Sequence, residues 1–312
     1  NAMFFGSLAQ SIPDIDFVTS FCLNTPGSLL AHRGFTHSIL FMLIMAVFLA
    51  LIAEKWHRPH NISLTKWMLF FGAVISGHIF IDAFNNYGVG WFEPFSHVRI
   101  TFNAMYVADP FFSIWSAIAC IALLVLGRRS RRRKTWWRFG LIMSSLYLGY
   151  CMINKWKIDS EVNRILDKQA IVHSRYFTTP APLQNWLWYV VAGNDQGYYV
   201  GFHSLFDSQK KIDFQYFPRN DSLLKPMLGN EDLLKLIRFS KQFYTVEKYS
   251  DSLVFNDLRF GQIIGWQDPK EKFVFHYYLE YPNNNKLVVQ RGRFAKWDWQ
   301  VAKSLVKRIV GN

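Results

Sequence analysis

Cysteine is scarce in this chain, and so are acids, long apolar runs and repeats. Three cysteines in 312 residues, Cys22, Cys120 and Cys151, have no metal-ligand spacing. Cys120 and Cys151 sit inside apolar segments, so they read as small packing residues, and a disulfide framework is excluded. Asp and Glu number 22 against 35 Lys and Arg, a formal charge of +13. That excess is concentrated. Arg128, Arg129, Arg131, Arg132, Arg133, Lys134 and Arg138 stand between two apolar segments, as in a cytoplasmic loop obeying the positive-inside rule, and not as in a nucleic-acid patch. The stretch Met3–Ile12 is too short and lacks the basic flank of a cleavable signal. No internal repeat is visible, which weighs against a transporter built from inverted halves.

What is present divides the chain near Asn154. Residues 3–153 carry four apolar segments, Ile39–Ala53, Trp67–Phe84, Phe111–Gly127 and Phe139–Ile153. Each is near or below the ~20 residues that cross a hydrocarbon core, so their helices are expected to extend into the flanks. Residues 154–312 have the mixed pattern of a soluble domain. The expected fold is an N-terminal α-helical transmembrane bundle of four to five helices, followed by a soluble α+β domain with an antiparallel sheet. Strands are expected at Trp186–Ala192, Tyr198–Phe206, Phe214–Phe217, Phe243–Lys248, Leu253–Arg259, Phe273–Tyr281 and Leu287–Arg293, with turns at Ser-Asp-Ser and Pro-Asn-Asn-Asn. Helices are expected at Leu233–Lys241, opened by Asn230, and at Trp297–Ile309.

Charge sets the topology. If Arg128–Arg138 is cytoplasmic, so is the Glu54–Lys66 loop, which carries Lys55, Arg58 and Lys66. Asp14, Asp16, His32, His37, the His78–Asp82 end of its segment and Asp109 then gather at the outer face, with the C-terminal domain extracytoplasmic.

Those residues are where chemistry is expected. His78 and Asp82 are spaced i, i+4, so a helix puts both on one face within reach of one ion. A structural intramembrane His–Asp pair is the plainer alternative. His32 and His37 bracket Arg33-Gly34-Phe35-Thr36. Five residues apart, they fall on different faces of an ideal helix, so at least one belongs to a turn. Gly34 permits a backbone closed to other residues, and Thr36 or Ser38 can cap the helix that follows. The Arg33 guanidinium suits a phosphate or carboxylate, or else anchors at lipid headgroups. In an extended segment Asp14 and Asp16 would aim their carboxylates the same way, though either could simply cap a helix. Asp109-Pro110 reads mainly as a cap. Imidazoles and carboxylates together suit zinc first, with manganese and iron as the other candidates.

The order Ile-Pro-Asp-Ile-Asp (12–16), His-Arg-Gly-Phe-Thr-His-Ser (32–38) and Gly-His-Ile-Phe-Ile-Asp-Ala-Phe-Asn-Asn-Tyr-Gly (77–88) resembles the YdjM-type family of predicted membrane-bound metal-dependent hydrolases of the bacterial inner membrane. Ser204-Leu205-Phe206-Asp207 and Asp257-Leu258-Arg259-Phe260-Gly261 resemble the tail found in many members. The resemblance implies Asp14, Asp16, His32, His37, His78 and Asp82 as metal-site positions. The family's distant likeness to zinc-dependent phospholipases C implies phosphoester hydrolysis. The Met-Asp-x-x-Thr-His element that usually opens such chains has no counterpart here, so a ligand histidine is expected to be absent.

The resulting expectation is hydrolysis at the outer membrane–water interface, assisted by one or two divalent ions. Asp16 would accept the proton of the attacking water, and Arg33 would stabilise developing negative charge. The partners are membrane lipid and a lipid-linked or phosphoester substrate, with no nucleic acid. The alternative is a non-catalytic membrane scaffold or regulator whose His/Asp cluster is structural and whose outer domain binds a protein or glycan. Proton or ion relay through His78 and Asp82 is a third reading.

Overall fold

The structure, a computed structural model, describes residues 2–57, 61–127, 129–249, 252–279, 286–289 and 296–311. Arg58, Arg128, Ser250-Asp251, the Pro-Asn-Asn-Asn turn (282–285) and positions 290–293 of the last expected strand lie outside the described residues. Contacts divide the chain into two units, residues 1–102 with 227–242, and residues 103–226 with 243–312.

The first unit is helical: α1 (Ala2–Ser11), a 3-10 segment (Pro13–Phe21), α2 (Thr25–Ala31), a 3-10 turn (Phe35–His37), α3 (Ile39–Trp56) and α4 (Leu64–Asp82). Of the two caps expected, Thr36 or Ser38, it is Ser38 that starts α3, its Oγ accepting from the Phe41 amide at 3.0 Å. Ala46, Ala50 and Ala53 recur on one face of α3. Their small side chains let it lie close against Trp67, Phe71 and Ile75 of α4, with Phe5 and Ala9 of α1 completing the core. The opposite face of α3 leaves Leu43, Ile44, Val47, Phe48 and Leu51 exposed. In water that surface would be a liability, whereas in lipid it is the required finish. Both α3 and α4 are long and apolar enough to cross a membrane. The later segment Glu231–Phe239, opened by Asn230 as expected, also packs in this unit, against α2.

In the second unit α5 (Pro110–Val125) and α6 (Arg133–Lys168) pack together where Gly140 meets Ala119 and Ser116 meets Ser144 at 2.9 Å. Asp109 caps α5, accepting from the Phe111 amide at 2.9 Å. At 16 residues α5 is apolar but short for a span. The expected run Phe139–Ile153 lies in the N-terminal half of the 36-residue α6, which continues as an amphipathic stretch with Ile158, Val162, Ile165 and Leu166 buried. The helices thus fall into two groups in separate units, and the single four- to five-helix bundle is not what the contacts describe.

The expected single sheet is two. β1 (Arg175–Pro180), β2 (Leu187–Gly193), β3 (Gly197–Ser204) and β4 (Gln215–Pro218) form one antiparallel meander. β5 (Tyr244–Tyr249), β6 (Ser252–Gln262), β7 (Phe273–Leu279) and β8 (Lys286–Val289) form the other. β2 is buried on both faces. Trp188, Val190 and Ala192 pack on Ile158, Val162, Ile165 and Leu166 of α6, while Tyr189 and Val191 pack toward Leu258 and Phe273 of the second sheet. The alternation of β2 therefore serves two layers at once. The C-terminal helix, Trp299–Val310, is tied to the first sheet by Arg308, which grips Asp207 through two hydrogen bonds of 2.7 and 3.0 Å.

Candidate metal centre

Between Ile12 and Ser38 each change of direction has a local cause. Pro13 opens a 3-10 helix, not the extended segment expected, because its fixed φ suits a first helical turn. Asp14 and Asp16 consequently diverge. They reach His37 from its two edges, Asp14 Oδ1 lying 3.6 Å from Nε2 and Asp16 Oδ2 3.5 Å from Nδ1. α2 ends at Ala31, and Arg33 turns left-handed at φ +57° while its amide donates to Asp16 Oδ2 at 2.7 Å. Gly34 follows at φ −86°, ψ −119°, where a β-carbon would stand 2.9 Å from the Ala31 carbonyl. The chain so doubled back brings the His32 and His37 rings to 6.4 Å.

On α4, His78 and Asp82 share a face as their spacing required. Asp14, His37, His78 and Asp82 each present one ligand atom, and these four atoms lie within 4.8 Å of one another. His37 Nε2 is 3.4 Å from Asp82 Oδ2, and His78 Nε2 is 3.5 Å from Asp14 Oδ1 and 3.7 Å from Asp82 Oδ2. A tetrahedron with metal–ligand bonds of ~2.0–2.2 Å has edges of about 3.3–3.6 Å. The separations of 3.4–3.7 Å between the His nitrogens and the Asp oxygens lie close to that figure.

The buried atoms point the same way. His37 Nε2, His78 Nε2 and Asp82 Oδ2 are all buried, and none has a hydrogen-bond partner. Buried polar atoms are rarely left so, and three that converge mark a place suited to a cation. The side chains of His37, His78 and Asp82 are 0, 11 and 18% exposed, against 56% for Asp14, so the group opens to its surroundings at Asp14. Charge agrees too. Asp14, Asp16 and Asp82 against Arg33 leave two negative charges, which a divalent ion cancels.

Around the four donors, other side chains set their orientation. Asp16 faces His37 Nδ1, and Thr36 Oγ1 lies 3.1 Å from the same nitrogen and 3.4 Å from Asp16. A carboxylate accepting from Nδ1–H leaves the Nε2 lone pair for a cation. Gln10 lies 3.3 Å from His78 Nδ1. With its amide turned so that the oxygen accepts there, His78 Nε2 is likewise free to ligate. Asp16 and His32, expected as ligands, form their own pair at 3.2 Å beside the group of four. Arg33 is 8% exposed. Its Nε is 3.1 Å from Asp82, its NH1 donates to Asn85 at 2.8 Å, and its guanidinium lies 5.2 Å from the centre of the Tyr87 ring. Gln10, Thr36, Asn85 and Tyr87 were not foreseen as site residues. Asn85 and Tyr87 did sit within the quoted 77–88 motif, which was the available signal. Asp109 belongs to the second unit, where it caps α5.

Protonation follows from these contacts. The His37 and His78 imidazoles beside it hold the Asp14 carboxyl far below the usual carboxylate range. Burial would raise Asp16, but bonds from His32 and the Arg33 amide outweigh it and lower its pKa. Burial likewise disfavours a charged His37, yet Asp14 and Asp82 outweigh it and raise that imidazole above its ordinary 6.5. Without a cation, a proton on His37 takes part of the cation's place.

Apolar helices with an outward apolar face, ending in a convergent His/Asp donor group, define a helical membrane protein with a candidate metal centre. Residues 1–158 match the YdjM inner membrane protein family, and the chain belongs to that family. It is 35% identical over 128 residues to "Uncharacterized protein YfhP" of Bacillus subtilis (strain 168), covering 41% of this chain and 38% of that protein. It is 30% identical over 119 residues to "Inner membrane protein YbcI" of Escherichia coli (strain K12), covering 37% and 60%. The matched region therefore spans less than two thirds of either relative. No solved structure matches the chain significantly.

Proposed function

We propose that Asp14, His37, His78 and Asp82 hold one divalent metal ion, zinc before manganese or iron, and that this centre hydrolyses a phosphoester or lipid-linked substrate at the outer face of the cytoplasmic membrane. The observation that carries the reading is the convergence, beside the exposed carboxylate of Asp14, of three buried donor atoms that make no hydrogen bond, Asp82 Oδ2 among them being ion-paired with Arg33. A bound divalent ion would supply Lewis acidity toward a phosphoryl or acyl oxygen. His32, half-exposed and held at Nδ1 by Asp16, would accept a proton from water, a role first expected of Asp16 itself. Arg33 balances charge at Asp82 and keeps its carboxylate turned to the centre. The arginine-rich segment between α5 and α6, read as cytoplasmic, supports the outer location, and on that reading the C-terminal sheets lie outside the cytoplasm.

The test is metal analysis of the purified full chain, followed by a screen against phosphodiesters and phospholipids. One ion per chain should be found, lost in His37→Ala and in His78→Ala. His32→Ala should keep the ion and lose hydrolysis. Metal content unchanged in both ligand variants would overturn the assignment.

A second reading, a membrane scaffold with a recognition domain, draws support from the second unit. A cavity of ≈370 Å³ there is lined by β4, β5, β6 and β7, with Tyr216, Tyr249 and Tyr278 beside Asn220, Asn256 and Glu247. Aromatic faces interleaved with amide and carboxylate groups suit a polar, ring-shaped ligand. Metal-free protein of undiminished stability that binds glycans would favour it.

A further inference from the structure

A second cluster of charge in the first unit calls for a different ligand. Leu30 at the end of α2, His97, Val98 and Arg99 in the loop after α4, and Arg238 and Lys241 near the end of the Glu231–Phe239 helix line a cavity of ≈250 Å³. Half of these lining residues are permanent cations. The carboxylate beside them, Glu93, is engaged by His97 at 2.8 Å and stands 4.0 Å from Arg238. Arg99, Arg238 and Lys241 thus converge on one small cavity, where like charges repel one another and an anion set among them would be held by all three.

The fold nevertheless holds them there. Arg99 donates to the His32 carbonyl at 2.9 Å and also to the Leu30 carbonyl, and Lys241 Nζ donates to the Arg99 carbonyl at 3.1 Å. Lys241 and Gln242 both adopt left-handed backbone, at φ +51° and +70°, a costly conformation for residues with side chains. On the same loop as His97 and Arg99, Phe95 and Val98 are 84% and 60% exposed. Apolar groups therefore stand next to the positive cavity, as an amphiphilic ligand requires.

We infer that this cavity binds a phosphate group carried as a mono- or diester. Guanidinium forks and an ammonium are the side chains that recognise phosphate oxygens. The cavity is distinct from the His/Asp group but adjoins it through Arg99, which touches the carbonyl of His32. Two of its three cations come from a segment beyond residues 1–158, so the site is not a property of the family-matched region. It does not depend on the hydrolytic reading.

The experiment uses the full chain in neutral detergent, stripped with chelator so that no metal centre competes for phosphate. One arm titrates inorganic phosphate by calorimetry. The other adds phosphatidylglycerol or phosphatidylcholine to the micelles and reads retained lipid by native mass spectrometry. Saturable binding of about one ligand per chain is expected in at least one arm, weakened about tenfold or more in Arg238→Gln/Lys241→Gln. Phosphate binding alone identifies a soluble anion, and preference for phosphatidylglycerol identifies a lipid headgroup. The double variant should keep the wild-type metal content and melting temperature. If it does not fold, Arg238→Gln alone carries the test, since that side chain is 47% exposed. No saturable binding in either arm, or binding that the substitutions leave unchanged, would overturn the inference.

Discussion

Acidification should strip the metal from the centre through His37 before any carboxylate is touched. The imidazole can ligate only as the free base, and Asp14 and Asp82 raise its pKa above the ordinary 6.5 in the metal-free protein. Metal and proton therefore compete for Nε2. Below the His37 pKa each pH unit should reduce apparent affinity about tenfold, or about 1.4 kcal/mol. Asp14 and Asp16 stay ionised across this range, because their pKa values are lowered. The break should lie above pH 6.5, and Asp14→Asn should move it downward by removing one of the carboxylates that raise it. The same contacts make opposite predictions for stability. In the metal-free protein the raised His37 contributes stability that is complete below about pH 6.5 and lost as pH rises through its folded value. The metal-loaded protein should instead gain stability over that interval. Competition of zinc between the protein and a chromophoric chelator, from about pH 5.5 to 8.5, measures the first effect, and thermal unfolding with and without metal the second. An affinity independent of pH below 6.5, or identical stability profiles with and without metal, would refute the reasoning.

Other consequences are more local. Gly34→Ala places a β-carbon against the Ala31 and Leu30 carbonyls and should cost about 1–3 kcal/mol, with a lowered melting temperature and weakened metal binding. Ser38→Ala removes the cap of α3 and should cost about 1 kcal/mol while the metal content of folded protein stays unchanged. Arg308→Ala removes the two guanidinium hydrogen bonds to the buried Asp207 carboxylate, which keeps the Ser204 amide at 2.8 Å. A loss of about 1.5–3 kcal/mol, read by thermal unfolding, is expected there with the metal centre untouched.

Much of the site was legible because its spacing is local. His78 and Asp82 need only a helix to converge, and Ser38 and Asn230 announce the helices they cap. What escaped was set by contacts distant in sequence. The roles of Gln10 and Asn85 depend on how α1 and the loop after α4 fold back, which no spacing records. The divergence of Asp14 and Asp16 turned on whether the chain after Pro13 would wind or extend, and Pro permits both. β1 was missed because a run ending in Pro180 reads as loop, yet as an edge strand it can carry a proline. The division into two sheets was hidden because each alternates in the same way. The change of polarity near Asn154 marked a change of neighbours along α6, from α5 to the first sheet, and the helix itself continues through it.

That continuity makes α6 a gear with fixed teeth. Near its start Gly140 and Ser144 mesh with α5, and further on Ile158, Val162 and Ile165 mesh with β2. Nothing between them can absorb a change in length. One residue inserted near Met152 would turn the first sheet by about 100° about the helix axis and displace it ~1.5 Å, leaving both ends correctly folded but out of phase. Insertions of three or four residues, close to a whole turn of ~3.6, would nearly restore the phase. Length variation in this stretch should therefore come in helical turns, a rule that a flexible tether would not impose.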